Sequence, residues 1–282
     1  MITRVKNQIV QGKHNKPILS DVFYDDTKKE QAVVIFCHGY KGFKDWGAWD
    51  LVAENFAEAG FFFVKFNFSH NGGTIEEPID FPDLDAFGKN NYLIELDDLS
   101  SVLDWVTASD SLYKRYINTQ KIILIGHSRA GGITAIKASE DIRVSKLITW
   151  ASVSDYESRF PKGEIFDRWQ KEGVYYIENG RTKQKMPHEF QFYTSYEENK
   201  ERLTIARAVK KITIPHLIIH GTADPTVDVQ EAKEIHTWNP ESELFLVNEA
   251  DHVFGAKHPW NHHKMPKDLT IITEKSIEFT SF

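Results

Sequence analysis

Along the chain, short apolar runs alternate with longer stretches in which apolar residues recur at helical spacing. This is the pattern of a mostly parallel sheet flanked by helices. Residues 3–10 and 17–23 read as an opening hairpin around the polar stretch GKHNKP. Six further runs read as strands: AVVIFC (32–37), FFFVKFNF (61–68), KIILIG (121–126), KLITWA (146–151), HLIIHG (216–221) and ELFLVN (243–248). The period of 3.6 predicts helices over WDLVAENFAEAG (49–60), YLIELDDLSSVLDWV (92–106), SRAGGITAIKASE (128–140), VQEAKEIHTW (229–238) and the segment after Pro266.

The alternation breaks once. Residues 153–212 hold no convincing core strand, yet carry ten aromatic residues between Tyr156 and Tyr196. A structureless loop of that length does not fit a compact domain, so the interval is expected to fold as an excursion. Asn179-Gly180, between two extended stretches, predicts a small hairpin closed by a tight type I′ turn. Two readings stay open: a covering subdomain whose aromatics pack only on one another, or a lid whose aromatics also line a pocket.

Composition narrows the class. At 282 residues, with 41% hydrophobic and 27% charged, the chain supports one large α/β domain with an insertion. The net charge of −7 argues against nucleic acid or an anionic membrane as the main partner. No apolar run approaches the length of a signal peptide or a membrane span, so a soluble cytoplasmic protein is expected. The single cysteine, Cys37, excludes an intrachain disulfide framework and is expected to pack as a small buried hydrophobe.

The candidate chemistry centres on GHSRAGG, Gly126 to Gly132. A serine hydroxyl is a weak nucleophile at neutral pH and needs a base, held in turn by a third group. Alone, the string is equally a small-residue turn. Its context, with a strand running in and a helix running out, is that of a strained elbow projecting Ser128 above the sheet. The acid candidate is Asp224 in HGTADPTV, at the carboxyl edge of the sheet where α/β sites are built. Asp228 is the alternative, but one residue from a helix start it reads better as an N-cap. The base candidate is His252 in NEADHVFG, on a loop free to reach back over the sheet.

The other histidines compete less well. His127 and His220 are expected to pack or hydrogen-bond locally. His258, His262 and His263 hint at a metal cluster, but Pro259 disfavours a regular helix there and no matching ligand motif exists elsewhere. For the oxyanion, two backbone donors are needed. Arg129 supplies one N–H, and Tyr40, after His38 and Gly39, supplies the other. The stretch from residue 69 to 90 either walls the site or is a solvated acidic loop, and Asp251, beside His252, stays unassigned.

Taken in order, HGYKGFKDW, FNFSHNGG, GHSRAGG, HGTADPTV and ADHVF resemble the α/β-hydrolase superfamily. Within it, the chain resembles the dienelactone-hydrolase-like and prolyl-oligopeptidase-like serine hydrolases, including cinnamoyl and feruloyl esterases with a cap between the sixth and seventh strands. The resemblance spans nearly the whole chain. It implies an α/β-hydrolase fold: a mostly parallel eight-stranded sheet, helices on both faces, and residues 153–212 as cap. It also implies hydrolysis of a small-molecule carboxylic ester by Ser128, Asp224 and His252, with the Tyr40 and Arg129 amides as oxyanion hole and no cofactor. Two departures stand out: dienelactone hydrolases proper carry cysteine where this chain has Ser128, and Ala130 replaces the usual elbow glycine. A peptidase or amidase using the same triad, and a non-catalytic binding protein on the same fold, are the rival readings.

Overall fold

The opening hairpin forms at one edge of the main sheet, where β1 (Ile2–Gln11) pairs antiparallel with β2 (Pro17–Asp25). In this computed structural model, which describes residues 1–281, β3 (Gln31–Cys37), β4 (Phe62–Phe66), β5 (Ile117–His127) and β6 (Val144–Trp150) follow in the chain. A separate two-stranded sheet, β7 (Val174–Glu178) and β8 (Lys185–Glu189), precedes β9 (His216–Gly221) and β10 (Glu243–Val247). The main sheet has eight strands in the order β1-β2-β4-β3-β5-β6-β9-β10. β2 meets β4 antiparallel, and every pairing from β4 to β10 is parallel.

Strand side chains alternate between faces, and both faces are covered, which is why β3 and β5 read as unbroken apolar runs. Val33, Ile35 and Leu124 pack on one side with α3 (Tyr92–Thr107) and α4 (Arg129–Glu140). Val34, Phe36, Ile123 and Ile125 pack on the other with α1 (Trp49–Glu58) and α10 (Lys267–Thr280). Cys37 is fully buried in the first of these clusters. Helix starts are set by short polar side chains: Asn91 Oδ1 accepts the Leu93 and Ile94 N–H groups at 3.0 Å, and Asp228 caps α9 (Val229–Trp238) by accepting from Gln230.

Three features depart from the pattern-based expectation. The stretch from 69 to 90 contains a short helix, α2 (Leu84–Lys89), capped by Asp83; its Phe87 packs with Phe43, Phe81 and Met186. The acids of this stretch are partly neutralised, Asp80 by Arg181 and Asp83 by Lys16. The hairpin of β7 and β8 is present, but six residues join Glu178 to Lys185, so Asn179-Gly180 is not a two-residue type I′ turn. Asn179 closes that longer loop instead, its Oδ1 accepting from Arg181 N–H at 3.0 Å and its N–H donating to Gln184 O at 2.8 Å. The third is a buried ion cluster. Lys65, with no solvent exposure, donates to Asp21, Asp45 and Asp50 at 2.7–2.8 Å, while Lys44 and Lys6 reach Asp21 at 3.0 and 2.9 Å. Three ammonium groups thus fill the space among three carboxylates.

The long excursion between β6 and β9 holds α5 (Glu164–Glu172), the β7–β8 hairpin, α6 (Gln191–Glu198), α7 (Lys200–Leu203) and α8 (Ile205–Val209). Trp169 anchors it, fully buried, its indole N–H donating to His188 O at 2.8 Å. Phe160, Trp169 and Tyr196 belong to the same buried cluster as Tyr92 and Tyr156, so the excursion shares the core of the main sheet. Among the described residues, no helix is long and apolar enough to cross a membrane.

Candidate active site

β5 ends at His127 and α4 starts at Arg129, leaving Ser128 alone to make the turn, with φ 58° and ψ −124°. A side-chain-bearing residue there is strained, and such strain persists only where its surroundings enforce it. Ser128 N–H donates to Trp150 O at 2.8 Å, and Ser128 O accepts from Gly131 N–H at 2.9 Å. Space enforces the rest. A Cβ on Gly126 would stand 2.4 Å from Ala130 O, and one on Gly39 would stand 2.8 Å from Ser128 Cβ. Ala130, which stands where the resemblance expects glycine, is fully buried.

The residues read from the sequence as acid and base converge on this serine. His252 Nε2 lies 2.9 Å from Ser128 Oγ, and His252 Nδ1 lies 2.7 Å from Asp224 Oδ2. An ionised carboxylate only accepts, so Nδ1 carries the proton and Nε2 is left to accept from the Ser128 hydroxyl. Asp224 is held on all sides. Its Oδ1 accepts the Thr226 and Val227 N–H groups at 2.8 and 2.9 Å, and its Oδ2 also lies 3.3 Å from His220 Nε2. Burial alone would raise this carboxyl, but hydrogen bonds from His220, His252 and Val227 outweigh it and keep Asp224 well below the usual carboxylate range.

The loops that carry these two residues are tied to each other. Ala223 N–H donates to Ala250 O at 3.1 Å, and Glu249 N–H donates to Thr222 Oγ1 at 2.9 Å. Asp251 turns its carboxylate away from the site to accept from the Val253 and Gly255 N–H groups, folding the next turn. His220 bonds close by in sequence, as its position implied, whereas His127 reaches the backbone of the loop that carries His252. His127 Nε2–H donates to His252 O at 2.9 Å, and His220 Nε2–H is shared between Val227 O at 2.9 Å and Asp224 Oδ2 at 3.3 Å. Burial pushes His127 down to about 3, so its ring is neutral. His258 is occupied elsewhere, its Nδ1 accepting from Gly47 N–H at 3.0 Å between Phe43 and Trp46.

Above Ser128 the Tyr40 N–H makes no hydrogen bond among the described residues. The Arg129 N–H belongs to the first turn of α4, whose donors a helix leaves open. Both side chains are engaged. The Arg129 guanidinium pairs with Glu95, buried on α3, and sits 4.9 Å over the Tyr40 ring. The Tyr40 hydroxyl donates to His188 Nε2 at 2.7 Å, because His188 Nδ1–H is committed to Met186 O at 3.2 Å. Glu95 and His188 were not singled out from the sequence. For Glu95 a signal existed, an acid among apolar residues on α3; for His188 there was none, since its partner lies 148 positions away.

A cavity of about 240 Å³ opens beside Ser128, walled by Tyr40, Tyr92, Tyr156, Phe160, Tyr175 and Phe192. Four of these six aromatics come from the excursion, so its rings pack on one another and also line the cavity. Tyr92 and Tyr156 stack at 3.8 Å between centroids, and the Tyr156 hydroxyl donates to Arg129 O at 3.0 Å.

A parallel sheet of this order, with its strained serine turn at the carboxyl edge, defines an α/β-hydrolase, and comparison with known proteins agrees. The chain belongs to the BD-FAE family, whose model matches residues 21–238. It is similar to Est1E from Butyrivibrio proteoclasticus, solved with ferulic acid bound, at 18% identity and a TM-score of 0.72 over 96% of this chain and 97% of that one. A dienelactone hydrolase from Anabaena variabilis superposes with a TM-score of 0.64 at 15% identity, over 99% of this chain and 96% of that one. A relative by sequence is the uncharacterized peptidase YtmA of Bacillus subtilis (strain 168), 25% identical over 134 residues. That match covers 43% of this chain and 46% of the relative, so the chain spans about half the length of the relative it matches. The proteins it is similar to thus include a dienelactone hydrolase and an uncharacterized peptidase, and the chain is a member of a hydrolase family.

Proposed function

We propose that this hydrolase cleaves carboxylic esters through an acyl-enzyme on Ser128. The observation that carries the reading is the unbroken chain from Asp224 Oδ2 through His252 to Ser128 Oγ, with links of 2.7 and 2.9 Å. His252 Nε2 takes the hydroxyl proton as Ser128 attacks the ester carbonyl. The tetrahedral oxyanion is held by the Tyr40 and Arg129 amides. His252 then returns the proton to the leaving alcohol and later takes one from the water that releases the acid. Asp224 fixes the tautomer and stabilises the imidazolium that forms twice per cycle. Every step uses side chains and backbone already on the chain.

In the same reading, residues 153–212 are a cap and the aromatic cavity receives the acyl group. The Tyr40–His188 hydrogen bond then ties the cap to the oxyanion loop, so acyl binding and oxyanion position are coupled. A medium-sized, partly aromatic acyl group suits a cavity walled by six aromatic side chains of tyrosine and phenylalanine. Peptidase or amidase activity is the second reading, favoured by the resemblance to YtmA. A panel of matched aryl esters and aminoacyl amides separates the two. The reading as a whole is tested with a fluorophosphonate probe and peptide mapping. Labelling of Ser128 is expected in the wild type and not in His252→Ala, and Ser128→Ala should lose turnover while staying folded. Turnover retained in Ser128→Ala refutes the mechanism.

A further inference from the structure

Ser128 borders two cavities. The larger, aromatic one is not lined by His252; a second, of about 130 Å³, is lined by Ser128, His252, His38, His127, Trp46 and Lys41. In acyl transfer the leaving oxygen takes its proton from the base, so the alcohol must stand where His252 can reach it. Given the serine-hydrolase reading, on which this inference rests, the acyl group occupies the aromatic cavity and the alcohol the smaller one.

Among the described side chains lining the smaller cavity, Lys41 is the one lysine or arginine, and burial lowers its pKa from the ordinary value. His38 and His127 are buried and neutral, pushed down to about 4 and about 3 mainly by desolvation. Lys41 is half-buried and, among the described residues, forms no ion pair; its ammonium lies 5.0 Å from the centre of the Tyr40 ring. The neighbouring cations differ in this respect: Arg129 is paired with Glu95, Arg159 with Glu231, and Lys44 with Asp21 and Asp45. Lys41 also holds a left-handed backbone, φ 54°, that a lysine adopts only under constraint from its surroundings. A partly desolvated ammonium beside a ring face and without a carboxylate partner has unmet electrostatic demand, which an arriving anion would satisfy.

We propose that the leaving alcohol of the natural ester carries an anionic group, a carboxylate or a phosphate, and that the Lys41 ammonium binds it. The enzyme would then cleave esters of hydroxy acids or of phosphorylated alcohols in preference to esters of neutral alcohols of the same shape. Lys41 acts on specificity, outside the proton-transfer chain.

The test uses three benzoate esters of para-substituted phenols that differ in one group: carboxymethyl, phosphonomethyl and the neutral carbamoylmethyl. The acyl half is constant and leaving-group strength is closely matched. In the wild type, kcat/KM is expected to favour at least one anionic ester over the neutral one by about tenfold, the scale of one charge-assisted contact. The larger ratio identifies carboxylate or phosphate as the group recognised. In Lys41→Met the ratio should collapse to near one, and Lys41→Arg should restore it. Equal rates in the wild type, or a preference that survives in Lys41→Met, overturn the subsite while leaving the hydrolase reading intact. Cleavage of none of the three esters, or cleavage undiminished in Ser128→Ala, overturns that reading and the subsite with it.

Discussion

Replacing Asp224 by Asn changes one oxygen to an NH2 group, and the structure dictates which one. Oδ1 accepts two backbone N–H groups, from Thr226 and Val227, at 2.8 and 2.9 Å. An amide must keep its oxygen there, because an NH2 facing two donors would leave all three unpaired. The NH2 therefore falls at the Oδ2 position, 2.7 Å from His252 Nδ1. Facing a donor, Nδ1 must accept, so the ring proton moves to Nε2 and points at Ser128 Oγ. The base is then occupied at the atom that should receive the serine proton. The expected loss in kcat is about ten-thousandfold, or about 5 kcal/mol of barrier, with the substrate-binding surface unchanged.

The assay is steady-state hydrolysis of an aryl ester with burst amplitude, alongside circular dichroism to establish folding. The variant should also melt lower than the wild type at neutral pH. A carboxyl held below its unfolded value contributes stability above that value, and the contribution disappears as pH falls through the folded one. The melting deficit should therefore narrow on acidification. A folded Asp224→Asn enzyme within tenfold of wild-type kcat would refute the tautomer argument and the role given to Asp224.

Three further outcomes follow from other parts of the molecule. Lys65→Met leaves three carboxylates with one fewer buried cation and should cost about 3 kcal/mol, read as a drop in melting temperature of roughly 6 to 12 °C; an unchanged melting temperature would show that Lys44 and Lys6 suffice. Gly126→Ala places a methyl 2.3 Å from Thr134 Oγ1 and 2.4 Å from Ala130 O, so the elbow must shift and both probe labelling and stability should fall. Burial pushes the Asp98 carboxyl up to about 7, with Ser69 N–H its partner at 2.7 Å. A raised carboxyl costs stability as pH climbs from its unfolded value, about 4, to its folded one. Asp98→Asn should accordingly match the wild type near pH 4 and melt higher at pH 8, and parallel melting curves across that range would contradict this.

Hydrophobic patterning alone was enough to locate the strands, because the faces of β3 and β5 are both buried and sequence must record that as continuous apolar runs. The strand–Ser128–helix turn and the places of Asp224 after β9 and His252 after β10 were legible for a related reason: each is a local consequence of where a strand ends at the carboxyl edge. Local signals misled where a longer loop had its own closure. At Asn179-Gly180 the asparagine side chain folds a six-residue connection, and the dipeptide carries no two-residue turn.

What the tertiary structure decided is the set of interactions between residues distant in the chain. The match of Tyr40 to His188, the pairing of Arg129 with Glu95, and the three lysines among Asp21, Asp45 and Asp50 depend on elements brought together only by sheet order. No spacing rule encodes them. The division of the site into an aromatic cavity and a smaller one bearing Lys41 has the same origin, since a cavity is bounded by side chains from several segments at once. Sequence thus determined which side chains stand at the strand ends, while packing of the excursion over the sheet shaped the aromatic cavity and the loops after β3 and β10 met to bound the smaller one.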